Sequence, residues 1–262
     1  MISRRDAAAL LAAGGLLVPR PGWSLAGPEP AAPSDGAPVR VAILLFPGMT
    51  ALDVIGPQAL LAGLAPGSLH LVAASAGPVA SDTGVSLLAT TGFAGCPEDL
   101  DVLLVPGGDG TPAQMRDAAT LAFLRARAAR ARWVASVCTG SLILGAAGLL
   151  RGYRATSHWC VRDRVLPLLG AVPAAERVVF DRDRVTAAGV SAGLDLALAL
   201  AARLRGEDYA RTSQLVAEYA PAPAFRSGTP EAAGPAVTRA ATAILATLAA
   251  ESEAAAQAVA GP

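Results

Sequence analysis

The stretch Ala135-Ser136-Val137-Cys138-Thr139-Gly140-Ser141 decides how this chain is read. Before it, Trp133–Val137 is an apolar run of strand type. After it, residues 139–150 are small and aliphatic helix formers, and no linker separates the two. A single Cys therefore falls where a strand passes directly into a helix, the arrangement of a nucleophile elbow. A side chain held there stands at the C-terminal edge of a sheet, with the unpaired N–H groups and partial positive charge of a helix N-terminus behind it. Both favour thiolate, so Cys138 is expected to ionise below the free value of about 8.5. A buried inert thiol is the competing reading, because free Cys is often buried. The place at a strand's C-terminal edge favours the reactive one.

Working outward, short apolar runs alternate with amphipathic stretches from Val39 onward, the sign of an α/β fold with a mostly parallel sheet covered by helices. Strands are expected at 39–46, 70–75, 102–105 and 133–137, with hairpins at 79–88 around Gly84 and at 177–188 around Asp181-Arg182-Asp183. Helices are expected at 56–64, 112–130, 139–150, 192–205 (closed by Gly206), 208–219 and 235–258. No repeat interrupts the pattern. One domain is expected over 39–230, followed by an Ala-rich helix within 231–262.

A Cys nucleophile needs a group to manage its proton, and few are on offer. Asp53, in Leu52-Asp53-Val54-Ile55-Gly56-Pro57, follows the first strand and so belongs to the same sheet edge. It either works on the thiol or caps the helix expected after it. Val105-Pro106-Gly107-Gly108 ends a neighbouring strand, and the bare backbone of Gly107 and Gly108 is expected to offer donors to a developing negative charge. His158, beside Trp159, is either a site residue or a packed imidazole with one satisfied nitrogen. His158-Trp159-Cys160 is not a ligand spacing, so no metal site is expected. A bridge between Cys96 and Cys160 is possible by count only.

Composition excludes more than it assigns. The 262 residues carry 21 basic and 21 acidic groups, every basic one is Arg, and there are two His. A pyridoxal Schiff base, a P-loop lysine and a three-histidine zinc site are thereby excluded. Zero net charge gives no electrostatic reason to expect nucleic acid or an anionic membrane as partner. Residues 1–26 have the order of an export signal: Ser3-Arg4-Arg5, an apolar run over 7–18, then Ser24-Leu25-Ala26. The paired arginines point to twin-arginine export and a periplasmic location, and the twelve-residue run is too short to span a bilayer. Cleavage after Ala26 would remove three Arg and one Asp and leave a net charge of −2. Residues 27–38 read as a Pro/Ala/Gly linker.

The elbow around Cys138, the segments around Asp53 and Gly107-Gly108, Ala155-Thr156-Ser157-His158-Trp159, and Glu218-Tyr219-Ala220-Pro221-Ala222-Pro223 together resemble the ThiJ/PfpI superfamily, and within it the isonitrile hydratases. The likeness covers nearly all of residues 39–230. It implies a flavodoxin-like three-layer sandwich, a homodimer, and a small-molecule substrate handled without metal or organic cofactor. It implies Cys138 as nucleophile, Asp53 as acid and base, and Thr139 as the neighbour that helps to hold substrate or water. Protease-like members place His directly after the Cys, where this chain has Thr139, so that dyad is not formed here. Members acting on glyoxals carry Glu where Asp53 stands.

The expected chemistry is addition of water to an isonitrile through a Cys thioimidate, giving an N-substituted formamide. Two alternatives stand beside it. The sensor domains of AraC-type regulators are similar to this chain, but two DNA-reading units follow them, and residues 232–262 hold a single Arg. A non-catalytic ligand binder is therefore the second reading, and a glyoxal hydratase or deglycase-like enzyme the third.

Overall fold

Continuous apolar runs become inner strands because only a sheet covered on both faces accommodates them. The structure, a computed structural model, describes residues 38–64 and 68–260; the expected leader and nearly all of the linker lie outside the described residues. The strands in chain order are β1 (Val41–Leu44), β2 (Leu69–Ala73), β3 (Gly77–Ala80), β4 (Ser86–Ala89), β5 (Thr91–Gly92) and β6 (Val102–Val105). They continue with β7 (Trp133–Val137), β8 (Arg154–Ala155), β9 (Val172–Pro173), β10 (Val178–Asp181) and β11 (Arg184–Ala187). Among the described residues one sheet has seven strands in the order β10-β11-β7-β6-β1-β2-β5. Every pair in it is parallel except β10 with β11. All residues of β1, β6 and β7 are buried, as their uninterrupted apolar sequences require.

The helices are α1 (Ala51–Leu61), α2 (Thr111–Gln114), α3 (Ala118–Ala128), α4 (Gly140–Ala146) and α5 (Trp159–Val165). After them come α6 (Ala192–Arg205), α7 (Glu207–Val216), α8 (Pro230–Ile244) and α9 (Ala246–Ala260). On one face α1 packs on α6, where Gly193 lets Pro57 approach and Val137 reaches from β7. On the other, α4 packs against α2, α3 and α9, and α9 also covers α5. This is the expected three-layer sandwich. From β1 the chain moves outward to β2 on one side, while β6 and β7 lie on the other. The order thus reverses beside β1, and the carboxyl ends of β1, β6 and β7 open on one crevice.

Three expected helices differ, each for a local reason, and a further one, α5, was not expected. The first begins at Ala51 instead of Gly56 and carries Pro57 in its interior, so Asp53 sits in its first turn. The stretch 112–130 is two helices, because Asp117 accepts from the Thr120 N–H at 2.9 Å and starts a new one. The short α5 is capped by His158, a residue the sequence did not mark as a cap. The Ala-rich stretch 235–258 breaks between α8 and α9 with a bend of 63°. Ser252, Ala255 and Ala256 are fully buried against the sandwich, so α9 is part of the domain.

Candidate active site

The turn between β7 and α4 is formed by Cys138 itself, whose φ of 57° is left-handed. A β-carbon costs free energy in that region, on the order of 1–3 kcal/mol, so the surrounding hydrogen bonds must hold it there. The Cys138 N–H donates to the carbonyls of Ala187 and Ala188, both at 3.1 Å. Its carbonyl accepts from the hydroxyls of Ser157 at 3.0 Å and Ser141 at 3.3 Å. The side chain is left at the crevice with 5% of its surface exposed.

Asp53 reaches the same crevice from α1 and is fully buried. It does not cap the helix: Oδ2 accepts from the Gly107 N–H at 2.9 Å, across 54 residues of sequence. Oδ1 is buried with no hydrogen-bond partner, and the neighbouring Cys138 thiol exerts only a small lowering pull on the carboxyl. Burial pushes the Asp53 pKa up to about 7 against the lowering pull of the Gly107 N–H, and the negative charge of Asp82 adds to the rise. Asp82 is kept beside α1 by the Thr50 hydroxyl at 2.5 Å.

The thiol departs from expectation. Burial and the neighbouring Asp53 carboxylate push Cys138 well above the usual thiol range, and the opposing pull of the Thr139 N–H does not overcome them. A strand-to-helix position reveals the favourable N–H groups, but desolvation belongs to the packed structure. The resting pair is therefore a thiol beside a carboxyl that titrates near neutrality.

Gly107 and Gly108 also differ from expectation. Their N–H groups are not free donors, since Gly107 holds Asp53 and Gly108 donates to the Thr139 hydroxyl at 3.0 Å. That hydroxyl shares a further hydrogen bond of 2.7 Å with Thr111. The two glycines are clamps on the acid and on the turn. A β-carbon on Gly107 would stand 2.5 Å from the Thr139 nitrogen and 3.0 Å from the Cys138 β-carbon. Gly107→Ala is accordingly expected to destabilise the fold by about 1–3 kcal/mol, read from the denaturation midpoint. An unchanged midpoint would show that the turn yields freely.

His158 lies at the edge of the cluster and is occupied elsewhere. Its Nδ1 accepts from the Cys160 N–H at 3.4 Å and faces the Cys160 sulfur at 3.0 Å. Burial lowers its pKa and so favours the neutral ring, and an Nδ1 that accepts from Cys160 leaves Nε2 to carry the proton. Cys96 and Cys160 are both free, not bridged. Cys96 donates to the Pro97 carbonyl at 3.6 Å, while burial raises Cys160 to about 11. Among the described residues no group of three or more His, Cys, Asp or Glu is placed to hold a metal ion. The structure thus joins Cys138, Asp53, Thr139, Gly107 and Gly108 and leaves His158 beside them. It adds Ser141, Ser157, Thr111 and Asp82, which no spacing in the sequence singled out.

Residues 39–203, more than half of the chain, match the DJ-1/PfpI family. The chain belongs to that family. An isonitrile hydratase of Pseudomonas putida is 52% identical over 199 residues, which cover 76% of this chain and 86% of the relative. Within the same family in three dimensions, a ThiJ/PfpI protein from Pseudomonas syringae superposes with a TM-score of 0.82 at 45% identity, over 86% of this chain and 97% of that one. A transcriptional regulator of Pseudomonas aeruginosa, GbdR, is 35% identical over 111 residues, covering 42% of this chain and 30% of the regulator. DJ-1/PfpI membership accounts for the flavodoxin-like layering of the described residues.

Proposed function

We propose that the protein adds water to an isonitrile to give an N-substituted formamide, with Cys138 as nucleophile at an elbow and Asp53 as acid and base. The observation that carries this reading is the pairing of a nearly buried thiol with a carboxyl that has one oxygen fixed by Gly107 and the other open. The 52% identity to an isonitrile hydratase supports it. Burial of both groups also suits a slender, terminal one-coordinate carbon, which reaches a recessed sulfur where a branched carbonyl does not.

Because Cys138 rests as a thiol, attack begins with Asp53 in its carboxylate form. Sulfur adds to the terminal carbon as the carboxylate takes the thiol proton, and the resulting acid delivers that proton to the same carbon. The product is a thioimidate, Cys138 S–CH=N–R. A water then adds to the carbon, losing a proton to Asp53, which passes it to the nitrogen. The C–S bond breaks, the hydroxyl proton returns to sulfur, and R–NH–CHO leaves.

Incubation of the purified, reduced protein with cyclohexyl isonitrile in oxygen-18 water tests the proposal. N-cyclohexylformamide carrying the label in its formyl oxygen is the expected product. No formamide from protein with an intact Cys138 thiol would sink the reading.

A further inference from the structure

We infer that Ser157 and Ser141 are positioning residues that act on the Cys138 sulfur through the peptide bond joining residues 138 and 139. The carbonyl of Cys138 and the N–H of Thr139 are opposite ends of one rigid plane, so the orientation of one sets that of the other. At the N–H end, Thr139 lies next to the Cys138 side chain, and its pull favours the ionised sulfur. At the carbonyl end, Ser157 and Ser141 donate together, at 3.0 and 3.3 Å, and both side chains are fully buried. Two donors engage both lone pairs of that oxygen and polarise the amide, which strengthens its N–H as a donor.

The arrangement answers a specific difficulty of this turn. At φ 57° the Cys138 backbone is under strain, and the peptide after it would relax by rotating. The peptide before it is pinned by Ala187 and Ala188, and the hydroxyls pin the one after. Ser141 comes from the first turn of α4, but Ser157 comes from the separate segment between β8 and α5. That second anchor ties the turn to the neighbouring layer. The absent side chain of Gly107 leaves the space in which the Thr139 nitrogen lies.

The inference rests on the reading of Cys138 as the nucleophile, so its test omits the isonitrile. Alkylation by iodoacetamide is followed against pH in the whole protein, and trypsin separates the three thiols of Cys96, Cys138 and Cys160 into residues 41–116, 133–151 and 155–162. In Ser157→Ala, alkylation of Cys138 is expected to slow about tenfold near neutral pH, with its pH profile displaced upward, because a charge-assisted donor to the thiolate is misaligned. Ser157→Thr, which keeps the hydroxyl, should restore the profile. A merely structural role predicts the opposite sign, since loosening the turn exposes a buried thiol and speeds its alkylation. An unchanged or faster rate in folded Ser157→Ala overturns the inference. If that variant does not fold, Ser141→Ala is read in the same way, and an unchanged profile there overturns it as well. Hydration of isonitriles can fail while the alkylation result holds, so the two readings fall separately.

Discussion

Cys138→Ala is expected to leave no measurable isonitrile hydration, a loss of at least about 10⁴-fold, because the covalent route has no second nucleophile to fall back on. Cys160 does not replace it: its thiol is held high by burial and faces His158, away from the Asp53 carboxyl in its hydrogen bonding. The fold should survive. Alanine tolerates the left-handed turn no worse than Cys, both hydroxyls still reach the residue 138 carbonyl, and one sulfur atom is lost from a site already 5% exposed. A cost of about 1 kcal/mol is appropriate to so small a truncation. Turnover of cyclohexyl isonitrile and thermal unfolding, measured on the same preparation, check the two statements together. Retained hydration by a folded Cys138→Ala protein would remove the thioimidate from the mechanism and leave Asp53 to activate water directly.

What the sequence made legible follows from how local each signal is. The buried strands β1, β6 and β7 are apolar at every position or nearly so, and their register along one sheet edge brought Asp53, Gly107 and Cys138 together before any distance was known. Gly56-Pro57 looked like a helix start because Pro favours a first turn. In fact five earlier residues are already helical, and Pro57 packs beside Gly193 on α6. That displacement turned Asp53 from a candidate cap into a side chain aimed across the crevice. The break at Leu245 has no Gly or Pro to announce it. Polarity at the site was hardest to read. The donors of Gly107 and Gly108 were rightly placed at the edge, yet only packing shows them spent on Asp53 and Thr139. In the same way the thiol's rise comes from desolvation and a neighbouring charge, neither of which a strand-to-helix junction encodes.

Asp53→Asn carries the other large expectation, and it separates catalysis from stability. The Asn amide oxygen still accepts the Gly107 N–H, so the crevice should keep its shape, while the proton acceptor is lost. Hydration is expected to fall by about 10²–10⁴-fold, the usual worth of a positioned acid or base. In the wild-type protein the rate should decline as pH drops through about 7, where the carboxylate takes a proton, and the residual activity of the variant should lack that limb. Stability moves the other way. With its pKa raised from 3.8 to about 7 in the fold, Asp53 binds a proton in the native state that the unfolded chain has already lost. Native stability from this group is therefore full below the unfolded value, declines as pH rises toward 7, and is level above it. Asn has no charge to desolvate. Relative to wild type, the variant's stability advantage should grow as pH rises from about 4 to about 7 and stay level above that, reaching on the order of a few kcal/mol. Denaturation midpoints across that range measure it. Parallel stability curves for the two proteins would refute the burial account of Asp53, and wild-type turnover by the variant would leave the carboxyl a structural partner of Gly107 alone.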